Sequence, residues 1–98
     1  MYTCAYNEPL AFQWDPRKAK SNITKHKVAF ADAVGVFEDP LAVTIDDPHP
    51  TEARYVTLGM DFLGRLLVVS WTQRGDDIRL ISARHANRGE RADYEGED

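Results

Sequence analysis

Residues 54–83 read RYVTLGMDFLGRLLVVSWTQRGDDIRLISA, and this stretch decides the fold. Three runs rich in β-branched and apolar residues, Arg54–Gly59, Arg65–Gln73 and Ile78–Ala83, are joined by Met60–Gly64 and by Arg74-Gly75-Asp76-Asp77. Connections this short close antiparallel hairpins and leave no room for a crossover helix, so the stretch predicts a meander. In Leu66-Leu67-Val68-Val69 the apolar residues fill both parities. Side chains alternate between the two faces of a strand, so this strand is expected to be central, with helices on one face and the C-terminal element partly on the other.

Working outward, Leu41–Ile45 has the β-branched content of a further strand, and Asp46–Thr51, with Pro48 and Pro50, reads as a polar loop. Phe30, Ala33, Val34 and Phe37 recur at helical spacing and stop at Glu38-Asp39-Pro40, because the residue before a proline avoids helical dihedrals. Gly35 weakens that helix. Ala11–Trp14 predicts a short first strand, ended by Asp15 as N-cap and Pro16 as first helical residue. The helix that follows gathers Ala19, Asn22, Ile23 and His26 on one half-apolar face, with Arg17, Lys18, Lys20, Ser21, Thr24 and Lys25 largely on the others. At the far end, Asn87 followed by Glu90 forms a capping-box pattern for a short helix through about Tyr94, and residues 95–98 are expected to fray. Residues 1–10 read as an N-terminal extension. The order is β-α-α-β-β-β-β-α, a single α+β domain over residues 1–98.

At 98 residues with 43% hydrophobic and 29% charged content, the composition is that of one globular unit. The single Cys4 excludes an internal disulfide and a thiolate metal cluster, which fits a reducing cytoplasm. No apolar run approaches the roughly 20 residues of a membrane span, and the N-terminus lacks the pattern of a signal peptide. The net charge of −4 hides a segregation of sign. Arg17, Lys18, Lys20, Lys25 and Lys27 form a basic stretch, Glu38, Asp39, Asp46, Asp47 and Glu52 an acidic middle, and from Arg54 to Arg91 every cation is arginine. Arginine's planar fork suits bidentate phosphate contacts, although solvated faces and ion pairs explain such charges equally well.

Phosphate-binding glycine loops, nucleophile elbows, zinc-binding His-Glu-x-x-His helices and dinucleotide fingerprints are absent, so no cofactor or metal is expected. His26, flanked by Lys25 and Lys27, is a candidate general base or, alternatively, a half-buried packing or capping residue. Arg54, Arg65, Arg79 and Arg84 lie on or beside strands, where they either converge on one phosphate-binding sheet face or pair with Glu52, Asp76 or Asp77. Trp71 and Tyr55 are candidates for stacking on unpaired bases or for the core.

The order of motifs resembles the BrnT toxins of bacterial type II toxin–antitoxin systems. The resemblance runs from Phe12-Gln13-Trp14-Asp15-Pro16-Arg17-Lys18-Ala19 through Asn22–Phe30, Val36–Leu41, Arg54–Gly59, Leu66–Val69 and Ile78–Arg84 to Glu90–Glu95. It implies a RelE-like fold, a small antiparallel β-sheet packed with two N-terminal helices and a short C-terminal helix. It further implies a metal-independent endoribonuclease that inhibits translation and is neutralised by a BrnA-type antitoxin. In such a pairing the substrate is RNA, operator DNA is reached only through the antitoxin, and the expected assembly is a dimer or a heterotetramer with the antitoxin. Carried over by position, His26 or Glu52 is the base for the ribose 2′-hydroxyl, and Arg54, Arg79 and Arg84 clamp the phosphate. Lys25, Lys27, Arg65 and Trp71 are expected RNA contacts by their charge or ring. Lys27 stands where the family commonly has glycine, so it must end the first helix, and His85 stands where a second basic residue is common. The competing expectation is a non-catalytic module that binds the antitoxin and acts as co-repressor. Convergence of His26, Arg54, Arg79 and Arg84 in one groove separates the two.

Overall fold

The computed structural model describes residues 11–96; the N-terminal extension with Cys4, and the last two residues of the tail, lie outside the described residues. The chain runs β1 (Phe12–Gln13), α1 (Pro16–His26), α2 (Phe30–Ala33), a 3-10 turn (Val34–Glu38), β2 (Val43–Asp47), β3 (Arg54–Met60), β4 (Leu66–Arg74), β5 (Asp77–His85) and α3 (Arg88–Glu95). The five strands form one sheet in the order β1-β5-β4-β3-β2. The meander β2 to β5 is antiparallel, as its short turns require, whereas β1 joins β5 in parallel at Phe12–Ile78 and Gln13–Arg79. The sheet is therefore the expected antiparallel one with a two-residue parallel strand added at its β5 edge. Two residues carry no pattern from which that pairing could be read.

Helix α1 begins as its sequence dictates: the Asp15 carboxylate accepts from the Arg17 amide at 2.8 Å and Pro16 occupies the first turn. It ends on Lys27, the one non-glycine residue with positive φ (61°) among those described. The second helix gives way to the 3-10 turn after Ala33, and Gly35 lies within that turn. A Cβ there would lie 2.4 Å from the Phe62 nitrogen, so glycine lets the β3–β4 turn press against this segment. Strand β2 begins two residues later than expected, because Asp39 accepts from the Leu41 amide (2.9 Å) and winds residues 39–42 into a turn. The α3 capping box forms as read, with Asn87 and Glu90 exchanging bonds of 2.8 and 2.9 Å.

The helices α1 and α2 and the 3-10 turn belong to one side of the sheet. Their core partners are Leu67, Val69, Ile78, Leu80 and Ala83 from the strands, with Val28, Phe30, Ala33 and Val36 from the helical side. Each large side chain removed from water there contributes about 1.5–3 kcal/mol. Strand β4 is buried along Leu66–Val69 and lies in the middle of the sheet, as its unalternating pattern demands. The exposed flank of β5 is closed by Asn22, which is 5% exposed. Its side chain accepts from the Ala83 amide (3.0 Å) and donates to the Ala83 and Val28 carbonyls (2.9 Å each). A side-chain amide thus stands in for a neighbouring strand and docks α1.

Candidate active site

The sheet face opposite α1 and α2 carries the cations. Arg54 on β3 is opposite Thr72 on β4, Thr72 opposite Arg79 on β5, and Arg79 opposite Gln13 on β1. Directly opposed residues share a face, and neighbouring strands lie about 4.8 Å apart, so the two arginine Cα atoms are roughly 10 Å apart across one row. Arg79 donates to Gln13 Oε1 at 3.3 Å, while Gln13 donates to Asp77 at 3.3 Å. Thr72, between the arginines, is 5% exposed and gives its hydroxyl proton to the Ala53 carbonyl at 2.6 Å.

At the open end of this row Arg54 donates to Glu52 at 2.6 Å. That bond is the main cause lowering the Glu52 carboxyl below its usual range, with His49 and Arg74 adding electrostatically and burial opposing. The pair lines a hollow of about 240 Å³ together with Asp46, Asp47, Pro48, His49, Ala53 and Tyr55. His49, read in the sequence only as a loop residue between Pro48 and Pro50, is a site neighbour that residue patterns missed. Its imidazole lies against Thr51, whose amide donates to Nδ1 at 3.3 Å.

Arg84 lies on the same face but near the other end of β5, roughly 15 Å along the strand from Arg79. It grips Glu90 through two bonds of 2.9 and 2.7 Å. The Arg84 bond, more than the Asn87 amide, draws the Glu90 carboxyl down to about 2 against the opposing effect of burial. His26 is half-buried at the end of α1, in an open groove of about 190 Å³ that Lys18, Ser21, Asn22, Lys25, Ile81 and Ser82 also line. No carboxylate lines this groove. Ser82 is opposite Ser70, so the groove meets the cation-bearing face at its β5 edge. Glu52 and Arg54 are thus paired at one end of the row, Arg79 lies two strands away on the same face with its guanidinium on Gln13, Arg84 stands apart on that face, and His26 with Lys25 occupies an adjoining groove.

Three of the expected RNA contacts have partners within the fold. Trp71 belongs to the helix-bearing face, where it stacks on Tyr55 (4.7 Å between centroids) and meets Phe37 edge-on (5.5 Å). Its indole N–H is taken by Thr57 at 2.8 Å, and Thr57 is also bonded to Thr44. Arg65 latches the β3–β4 turn: it donates to Asp61 at 2.9 Å, lies 3.9 Å from Asp32 and reaches the Lys27 carbonyl at 3.2 Å. A buried aspartate needs such a partner, which explains this arginine without RNA. Lys27 spends its side chain on the Thr24 carbonyl at 3.3 Å. Among the described residues no group of three His, Cys, Asp or Glu gathers as a metal-ligand cluster.

A meander with α1 and α2 on one side and a cation-lined opposite face defines an α+β, RelE-like fold. The family described as the ribonuclease toxin BrnT of type II toxin–antitoxin systems matches residues 14–90, and the chain belongs to this family. The crystal structure of the Brucella abortus ribonuclease toxin BrnT superposes with a TM-score of 0.61 at 23% identity, covering 80% of this chain and 97% of that one. The curated proteins give no match. The chain is accordingly a ribonuclease toxin of a type II toxin–antitoxin system, and no helix among its described residues is long and apolar enough to cross a membrane.

Proposed function

We propose that this toxin is a single-domain, metal-independent endoribonuclease of the cytoplasm that stops translation by cutting RNA and is held inactive by a BrnA-type antitoxin. The observation that supports it best is the transverse row Arg54–Thr72–Arg79 with Glu52 bonded to Arg54. Two guanidinium groups on one rigid sheet face suit a phosphate whose charge grows in the transition state. The attacking 2′-hydroxyl belongs to the RNA itself, so the reaction is intramolecular and needs positioning and charge stabilisation rather than a bound ion.

In this reading Arg54 and Arg79 hold the scissile phosphate, and the lowered carboxyl of Glu52 orients Arg54. A carboxylate so stabilised is a poor proton acceptor, which favours the imidazole of His49 in the same hollow as the base. The O2′ proton passes to the His49 imidazole as O2′ bonds phosphorus, and the P–O5′ bond breaks with O5′ taking a proton from water, to leave a 2′,3′-cyclic phosphate and a 5′-hydroxyl. His26, Lys25 and Lys18 guide the flanking strand along the α1 groove. Operator DNA is reached only through the antitoxin, in a dimer or heterotetramer. A non-catalytic antitoxin-binding module is the second reading, favoured by the ion pairs that occupy Arg54 and Arg84.

The test is cleavage of labelled total RNA by purified protein in excess EDTA, with Arg54→Ala, Arg79→Ala, His49→Ala and His26→Ala at matched thermal stability. Cleavage that persists in EDTA, leaves cyclic phosphate ends and falls at least 100-fold, on the order expected for losing an electrostatic clamp, in the arginine variants is the expected result. Full activity in Arg54→Ala and Arg79→Ala overturns the site, and no cleavage by the folded wild type supports the binding module.

A further inference from the structure

The cation-bearing face has an apolar half that the nuclease reading leaves unused. Val43 is opposite Leu58 and Leu58 opposite Val68, while Ile45 is opposite Val56, so these five side chains form one patch. They floor a groove of about 170 Å³ whose wall is Glu90 and Asp93 of α3. At its margin Leu41, Val43 and Ile45 are 67%, 47% and 61% exposed, unusually open for side chains of this size. The same segment is the edge of the sheet: among the described residues β2 pairs with β3 alone, which leaves backbone donors and acceptors along its outer side. Sheet edges are normally blunted by charges, proline or a bulge, and β2 carries only Asp46 and Asp47 at its far end, which leaves Val43-Thr44-Ile45 open.

We infer that β2 and this groove are where the antitoxin docks, through an extended segment that adds to β2 as a sixth strand, places alternate apolar side chains on Val43, Ile45, Val56 and Leu58, and flanks them with lysine or arginine. This rests on the antitoxin pairing proposed above. The charge of the rim selects the partner. Asp47, two residues beyond Ile45 on the same face of β2, and Asp93 flank the patch and are in no ion pair among the described residues, in a chain of net charge −4. A second copy of this acidic chain would bring like charges together, whereas a basic segment neutralises them. Strand addition supplies main-chain hydrogen bonds, and the groove reads the side chains of one parity. Because α3 forms the wall and holds Arg84 through Glu90, a segment seated here also lies beside the cation-bearing row.

The experiment titrates the full-length chain, labelled with nitrogen-15, with its cognate antitoxin, reading amide protection and affinity. Protection from exchange is expected along Val43–Asp47, with Ile45→Lys weakening binding by about 30-fold, the factor that losing one buried isoleucine side chain produces. Ile45 is exposed, so the variant keeps the wild-type melting temperature and the wild-type RNA cleavage. Binding within 3-fold of wild type in both Val43→Lys and Ile45→Lys overturns the proposal, as does protection confined to α1 and β5 or a toxin-only dimer broken by Ile45→Lys. RNA cleavage is scored separately: a chain that binds antitoxin at β2 yet never cuts RNA overturns the nuclease reading and leaves this surface standing. A folded, cleaving chain that binds no antitoxin overturns the pairing and the surface together.

Discussion

Replacing Asn22 by alanine tests whether one buried amide seats α1 on the sheet. The substitution removes three hydrogen bonds of 2.9–3.0 Å and leaves the Ala83 amide, the Ala83 carbonyl and the Val28 carbonyl without their partner. Val28 and Ala83 are fully buried, so water reaches these groups only if α1 moves. Each unsatisfied buried backbone group costs about 1–3 kcal/mol, and partial relaxation brings the total to about 3–4 kcal/mol. Against a total stability of roughly 5–15 kcal/mol this is a large loss. It corresponds to a fall of about 2 M in urea midpoint, or roughly 12–24 °C in melting temperature. Ile23→Ala, on the next residue but half exposed, is the control and costs less than about 1 kcal/mol. Urea titrations followed by circular dichroism decide the matter. A loss below 1 kcal/mol for Asn22→Ala, with α1 still helical, refutes the view that this amide closes the flank of β5.

Lys27→Gly relieves the left-handed C-cap at φ 61° and raises stability by about 0.5–1 kcal/mol, seen as a melting temperature several degrees higher; a lower one would show that the Lys27 side chain outweighs the backbone. Gly35→Ala drives a methyl into the Phe62 nitrogen and costs at least about 2 kcal/mol, whereas Gly64→Ala meets open space and costs about 1 kcal/mol through its φ of 78° alone. Equal losses in thermal melts would contradict the packing argument. Glu90 has a folded-state pKa of about 2 against an ordinary 4.5, so its stabilisation is complete above about pH 4.5 and drains away as pH falls toward 2. Screening at this partly exposed pair limits it to about 1–2 kcal/mol, and Glu90→Gln should flatten the slope of stability between pH 5 and 2.

The meander was legible because alternation and turn length are local properties, and Leu66–Val69 announced its central place by breaking the alternation. Both long helices were bounded by their caps, Asp15-Pro16 and Asn87 with Glu90. What sequence reading missed is tertiary. Gly35 must be glycine in its 3-10 turn only because the turn at Asp61–Phe62 lies against it, and Arg65 is a turn latch only because Asp61 is buried beneath it. Trp71 presents the same residue type to RNA or to a core, and the parity that assigns it to Tyr55 and Phe37 depends on sheet register. The partner of Arg84 was illegible because Glu90 reaches it across the joint between β5 and α3.

Register also decides the candidate site itself. From Ser70–Ser82 an unbroken ladder would set Trp71 opposite Ile81, Thr72 opposite Leu80 and Gln73 opposite Arg79. That arrangement turns Arg79 to the helix side and Leu80 to the other face, because a one-residue slip inverts every side chain beyond it. The observed ladder skips Ile81: Trp71 is opposite Leu80 and Thr72 opposite Arg79. The irregularity lets Ile78, Leu80 and Ala83 all reach the core despite their mixed parity, and the same step delivers Arg79 to the row of Arg54. Hydrophobic burial of Ile78 and Leu80 thus sets the position of the second guanidinium, and the site's geometry follows from the core's demand. The same row ends on a carboxylate, because Asp47 is opposite Arg54 and lines its hollow with Asp46, so the potential felt by a phosphate there is set by the local balance of these groups rather than by net charge.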